Sequence, residues 1–179
     1  LQGFIQHLDR APVAPLVEKA NEQHYEVPAR FFECVLGAHL KYSSAHWDGV
    51  DALDDAEAQA LTLSCDHAGL EDGQEVLELG CGWGSLTLWM AAAYPNSKIT
   101  AVSNSASQRE FIESRAIERK LTNLQVITAD INHLTLDQSF DRIVSVEMFE
   151  HLRNYREIFD RVGTWLKPEG RFFMHIFCH

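Results

Sequence analysis

The stretch "VLELGCGWGSLTLWMAAAYP", Val76 to Pro95, decides how the rest of this sequence is read. It opens as a short apolar strand, Val76-Leu77-Glu78-Leu79, and then places glycines at alternate positions, Gly80, Gly82 and Gly84. Beyond them Leu86, Leu88, Trp89, Ala92 and Ala93 recur at helical spacing. A strand that turns through glycines into a helix brings bare backbone close to a ligand.

From this turn onward the pattern alternates. Strands are predicted at 75–79, 98–102, 124–129, 141–146 and 171–177, and helices at 84–94, 106–121 and 153–166. Nearly unbroken apolar runs such as "RIVSV" and "RFFMHIF" suit parallel strands covered on both faces. The expectation is an α/β fold, a Rossmann-like doubly wound and mostly parallel sheet, occupying residues 71–179. No covering helix follows the fifth strand, so a fold truncated at that point is expected.

Residues 1–70 read as a helical segment with a lid loop. "APVAPLVEKANEQHY" predicts a helix, and "VPARFFECVLG" a second one opening at Pro28 and stopping at Gly37. "AHLKYSSAHWDGV" has no clear period and reads as a loop. "DDAEAQALTLSCDHAGL" starts with acidic residues and carries Ala56, Ala60, Leu63 and Ala68 towards one side, a helix ending near Gly69.

The bulk numbers narrow the function class. The 179 residues are 46% hydrophobic and 23% charged, enough for one globular domain with a real core. No apolar run reaches the roughly 20 residues of a membrane span, and the first residues lack the basic-then-apolar order of a secretory signal. The missing initiator Met suggests trimming or a fragment. A net charge of −11 without any basic tract argues against a nucleic-acid partner. Cys34, Cys65, Cys81 and Cys178 form no CxxC pair, so neither zinc nor a disulfide framework is expected, and a reducing, cytoplasmic setting is.

The glycine spacing is E-x-G-x-G-x-G, Glu78 to Gly84, whereas the pyrophosphate fingerprint of nicotinamide enzymes is G-x-G-x-x-G with an acid about 20 positions on. Here the next strand ends in "AVSNSASQ", without an acid, which disfavours a dinucleotide. "VLELGCGWG" resembles motif I of Rossmann-like S-adenosylmethionine methyltransferases. With "LKYSSAHW", "AVSNSASQREFI", "ADI" and "VEMFEHLRNY" in order around it, the chain from about Tyr25 onward resembles the cyclopropane-fatty-acid synthase family, and in particular its amine-methylating, coclaurine-type branch.

The resemblance implies a cofactor, S-adenosyl-L-methionine, leaving as S-adenosyl-L-homocysteine, and a set of residues around it. Gly80 and Gly82 would admit the methionyl end, and Glu78 would supply negative charge near its ammonium and sulfonium, unless it merely caps the turn. Tyr42 and Ser43 would close over the cofactor, Ser103, Asn104 and Gln108 would serve the ribose in place of the missing acid, and Asp130 and Ile131 would hold the adenine. Trp83 reads either as a pocket wall or as core.

The chemical end of the site is read from "EMFEH". Ligands bind beyond the carboxyl ends of strands in an open parallel sheet, so this segment borders the pocket. Glu147 stands three and four residues before Glu150 and His151, a spacing that places all three on one face of a helical turn. Two carboxylates and an imidazole can attract a cation and accept a proton, and Glu147, Glu150 and His151 are the candidate catalytic residues. A helix cap with a solvated face is the other reading of Glu150 and His151. Family members that cyclopropanate lipid chains read Y-S-C-x-Y in the lid, with bicarbonate as base. Here Ser44 and His46 stand at those places, which favours a small amine over a lipid as acceptor. The remaining histidines, including His175 and His179 of "HIFCH", show no metal-demanding spacing, and no metal is expected.

Overall fold

The computed structural model describes residues 2–15 and 27–178. Among the described residues three helices precede the sheet: α1 (Gln2–Leu8), α2 (Ala29–Val35) and α3 (Leu53–Ala68). Then follow β1 (Glu75–Leu79), α4 (Ser85–Ala93), β2 (Lys98–Ser103), α5 (Ala106–Glu118), β3 (Leu124–Thr128) and β4 (Phe140–Val146). A 3-10 turn (Phe149–His151), α6 (Tyr155–Trp165) and β5 (Leu166–His175) complete the order.

All strand pairs are parallel, in the order β3-β2-β1-β4-β5, so β1 lies in the middle and the glycine turn leaves from the centre of the sheet. The alternation along β1 sorts its side chains between two cores. Val76 packs with Leu61, Cys65, Leu86 and Met90 beneath α3 and α4, while Leu77 and Leu79 pack with Phe140, Ile143, Ile158 and Trp165 beneath α6. Covered faces on both sides explain the near-continuous apolar runs. Helix ends follow local chemistry: the Asn154 side chain accepts a hydrogen bond from Glu157 N at 3.1 Å at the start of α6.

The predicted elements differ from these in a few places. Helix α5 stops at Glu118 and not at 121, because Lys120 adopts a left-handed φ of 57°. Strand β5 begins at Leu166, directly after α6, with a register shift between Phe140 and Arg142 before regular pairing resumes at Arg171, and it ends at His175. Helix α1 has no acidic first turn and buries nothing, so its sequence carries no periodic signal. The helix expected over 11–25 begins in non-helical turns at 11–15, and its remainder lies outside the described residues. Among the described residues no helix is long and apolar enough to cross a membrane.

Candidate active site

A cavity of about 380 Å³ opens beyond the carboxyl ends of β1 and β4. Its floor is the glycine turn. Gly80 N and Cys81 N both donate to Val102 O at 3.0 Å, and Gly84 N donates to Cys81 O at 2.9 Å, which ties the turn to β2 and to itself. The three glycines do different work. A Cβ on Gly80 would lie 2.6 Å from Met148 Cγ, and one on Gly84 would lie 2.5 Å from Ile112 Cγ1. Gly80 therefore makes room for the segment after β4, and Gly84 for helix α5. Gly82, at a φ of 53°, faces open space within the cavity. It is the glycine whose missing side chain leaves room for a ligand.

The structure brings most of the sequence-predicted residues to this one cavity: Tyr42, Ser43, Glu78, Gly80, Gly82, Gln108, Glu147, Glu150 and His151 all line it. Tyr42 is 64% exposed and stands edge-on to the Phe32 ring at 5.3 Å, as a side chain over the mouth would. Trp83 is both wall and core, 8% exposed and packed between Phe32 and Phe111. Glu147, Glu150 and His151 reach the cavity from a bend and a 3-10 turn rather than from one regular helix, with Glu147 at a left-handed φ of 52°. Its backbone N–H bonds His175 O at 2.8 Å, which fixes the bend to β5. A non-glycine residue held in that region stores strain of order 1–3 kcal/mol, a feature that concentrates at functional sites.

Ser103, Asn104, Asp130 and Ile131 are not part of the cavity wall. Ser103 Oγ donates to Gln108 Oε1 at 2.6 Å and accepts from Ser105 N at 3.0 Å, so its hydroxyl organises the start of α5. Asp130 Oδ1 accepts from Asn132 N at 2.8 Å, and Asn132 in turn binds both backbone polar groups of Ala14. Ile131 is 7% exposed in the core under α6. These residues stand at or just beyond the ends of β2 and β3.

Three polar atoms without a protein partner lie in the cavity wall. Gln108 Nε2, Ser85 Oγ and Glu150 Oε2 are buried, line the cavity and make no hydrogen bond among the described residues. Each such atom costs about 1–3 kcal/mol unless water or a ligand satisfies it. Glu78 is 4% exposed, and burial pushes its carboxyl up to about 7 even though the Thr87 hydroxyl donates to it at 2.5 Å. A positively charged ligand would repay that desolvation. Donors near α5, acceptors near β1 and β4 and an open Gly82 together fit a ligand with a polar sugar and a cationic tail.

The raised Glu78 value carries a pH signature. A carboxyl whose folded value lies above the ordinary 4.5 favours the fold fully below 4.5, and the contribution is lost as pH rises through about 7. The ligand-free protein should therefore lose on the order of 3 kcal/mol between pH 4.5 and pH 8 through this group. Glu78→Gln should flatten that part of the profile in thermal denaturation. An unchanged slope would show that the carboxyl does not titrate there.

Sequence reasoning missed Lys41 and Ser85. Ser85 opens α4 behind the glycine turn, and no motif distinguishes it. Lys41 lies inside the quoted "LKYSS", is 6% exposed and lines the cavity, with burial pulling its ammonium down while Glu147 and Glu57 oppose that. Lys41 also borders a second cavity, which it lines together with Ser44, His46, His67 and His175.

A five-stranded parallel sheet in this order, covered by helices on both faces and carrying its cavity at the glycine turn after β1, is a class I methyltransferase fold. The chain belongs to the mycolic acid cyclopropane synthetase family, whose profile matches residues 16–179. It is 41% identical to an (S)-coclaurine N-methyltransferase of Thalictrum flavum subsp. glaucum, over 100% of this chain and 50% of that protein. It is 38% identical to a cyclopropane-fatty-acyl-phospholipid synthase of Escherichia coli (strain K12), over 86% of this chain and 39% of that one. Its structure matches that of a coclaurine N-methyltransferase bound to N-methylheliamine and S-adenosylhomocysteine with a TM-score of 0.92 and 39% identity, covering 97% of this chain and 51% of the other. The chain spans about half the length of the coclaurine N-methyltransferases it matches and less of the synthase.

Proposed function

We propose that this protein is an S-adenosylmethionine-dependent methyltransferase that methylates the nitrogen of a small amine. The observation that carries the reading is that the glycine turn after β1 and the Glu147–His151 segment after β4 face one cavity. S-adenosylmethionine, when bound, supplies a methyl group on a sulfonium that a nucleophile can attack in line, and departs as S-adenosylhomocysteine. Gly82 leaves room for the tail, Glu78 offsets its positive charge, and Gln108 Nε2 and Ser85 Oγ donate to its oxygens. Ser103 and Asn104 support the ribose side, and Asp130 and Ile131 the adenine side. The ends of β3 and β4 are three strand spacings apart, about 14–15 Å, a span that suits an extended nucleoside with an amino-acid tail.

An amine attacks only when neutral, because its protonated form has no lone pair. His151 accepts that proton, Glu150 in the same turn offers a carboxylate to the imidazolium that forms, and Glu147 holds the acceptor's nitrogen at the sulfonium end. Residues 1–70 act as a lid through Tyr42 and Ser43, which cover the mouth and limit water, while 71–179 form the cofactor-binding core. A cytoplasmic setting suits four cysteines present as free thiols.

The similarity to a lipid cyclopropane synthase supports a second acceptor class, an unsaturated acyl chain. Turnover measured with small amines, coclaurine among them, and with phospholipid vesicles, with and without added bicarbonate, separates the two. N-methylation indifferent to bicarbonate is expected. A lipid product that depends on bicarbonate would overturn the amine reading.

A further inference from the structure

The cavity is rich in carboxylates. Glu78, Glu147 and Glu150 all line it, and these suit a sulfonium and an ammonium. The same three groups repel the other charged end of the methionyl tail, its α-carboxylate. Of the turn amides, Gly80 N and Cys81 N are spent on Val102 O and Gly84 N on Cys81 O. Among the described residues lining the cavity, Lys41 is the one Lys or Arg.

Lys41 is directed inward by a built support. Glu57, fully buried in α3, accepts from Gly37 N and His39 N at 2.9 Å each, and Asp54 Oδ1 accepts from Ala38 N at 2.8 Å. Leu40 then turns the chain through a left-handed φ of 51°. Lys41 Nζ follows within the fold, donating to Ser43 Oγ. An ammonium has three donors; one goes to the Ser43 hydroxyl and the Glu147 and Glu57 carboxylates act on its charge from nearby, which leaves donors for a further anion on the cavity side. Solvation of this side chain has been given up at a place where a ligand binds.

Resting on the function proposed above, we propose that Lys41 recognises the α-carboxylate of the cofactor's methionyl tail, with Ser43 holding the ammonium in position. Lys41 thereby sets which sulfonium compounds enter: those with a complete amino-acid tail. The other role open to it is to neutralise Glu147, and that role is blind to the ligand's carboxylate.

Calorimetry with two probes distinguishes these roles. S-adenosylmethionine and its decarboxylated analogue differ in the carboxylate alone. Lys41→Met keeps the length and packing of the stem and removes the buried charge, so it should fold at least as well as the parent; Lys41→Gln is the polar alternative. Either variant should weaken S-adenosylmethionine by about 10–100-fold, the scale of a lost charged hydrogen bond. Affinity for the decarboxylated analogue should stay within about threefold, near the scatter of such measurements. If both probes weaken equally, or neither does, the assignment of Lys41 is wrong while the function stands. If the unsubstituted protein binds neither probe, the function and this inference fall together.

Discussion

His151→Ala should lower methyl transfer to an amine by roughly 10²–10⁴-fold at neutral pH, the scale on which a positioned general base contributes. The residue lines the cavity from the 3-10 turn after β4, opposite the glycine turn. Cofactor affinity, read by calorimetry, should barely change, because the imidazole serves the acceptor. The rate defect should shrink as pH rises towards the amine's own pKa, where water has already removed the proton. That rescue is particular to an amine; an olefin has no proton to lose before attack. Full activity of His151→Ala at neutral pH would remove the base assignment and leave positioning by Glu147 and Glu150 to carry the rate.

Gly82→Val should reduce S-adenosylmethionine affinity by at least about 100-fold, since even one surplus methylene in a fitted pocket costs about 10–200-fold. A Cβ at this position meets no heavy atom within 4 Å beyond its chain neighbours, and Gly82 lines the cavity, so the added bulk enters space proposed for the ligand. Its left-handed φ of 53° adds a stability cost of about 1–2 kcal/mol. Gly84→Val makes the opposite trade. Its Cβ would press on Ile112 at 2.5 Å, so stability falls further, while the folded fraction should keep its affinity because Gly84 does not line the cavity. Wild-type affinity in folded Gly82→Val would show that the ligand lies elsewhere.

The contrast between these glycines marks where sequence reading stops. Alternate glycines after an apolar strand announce a backbone–ligand approach, and the parallel α/β sheet follows from the alternation of strand and helix. Nothing in the spacing says that Gly80 accommodates Met148 while Gly82 faces open space, since that depends on β4 arriving beside β1. The cluster Glu147, Glu150 and His151 was legible because a short segment carries it at the end of a strand. Its bend was not, because the left-handed φ of Glu147 is held by a bond to His175, 28 positions on. Ser103 shows the converse limit. Its place at a strand end is readable, but not that its hydroxyl donates to Gln108 and accepts from Ser105 N, which ties it to the start of α5. Lys41 was hidden for a related reason, since its direction is imposed by Glu57 and Asp54, more than ten residues away in α3.

The most direct measurement is the fate of an isotopically labelled methyl group. The protein is incubated with S-adenosylmethionine carrying a carbon-13 methyl, a mixture of small amines and phospholipid vesicles, and the products are resolved by mass spectrometry and carbon NMR. The label should appear as an N-methyl group on an amine, with one equivalent of S-adenosylhomocysteine formed per methyl transferred. Label in the acyl chains with none on nitrogen, or no transfer by a protein that binds the cofactor, would contradict the account.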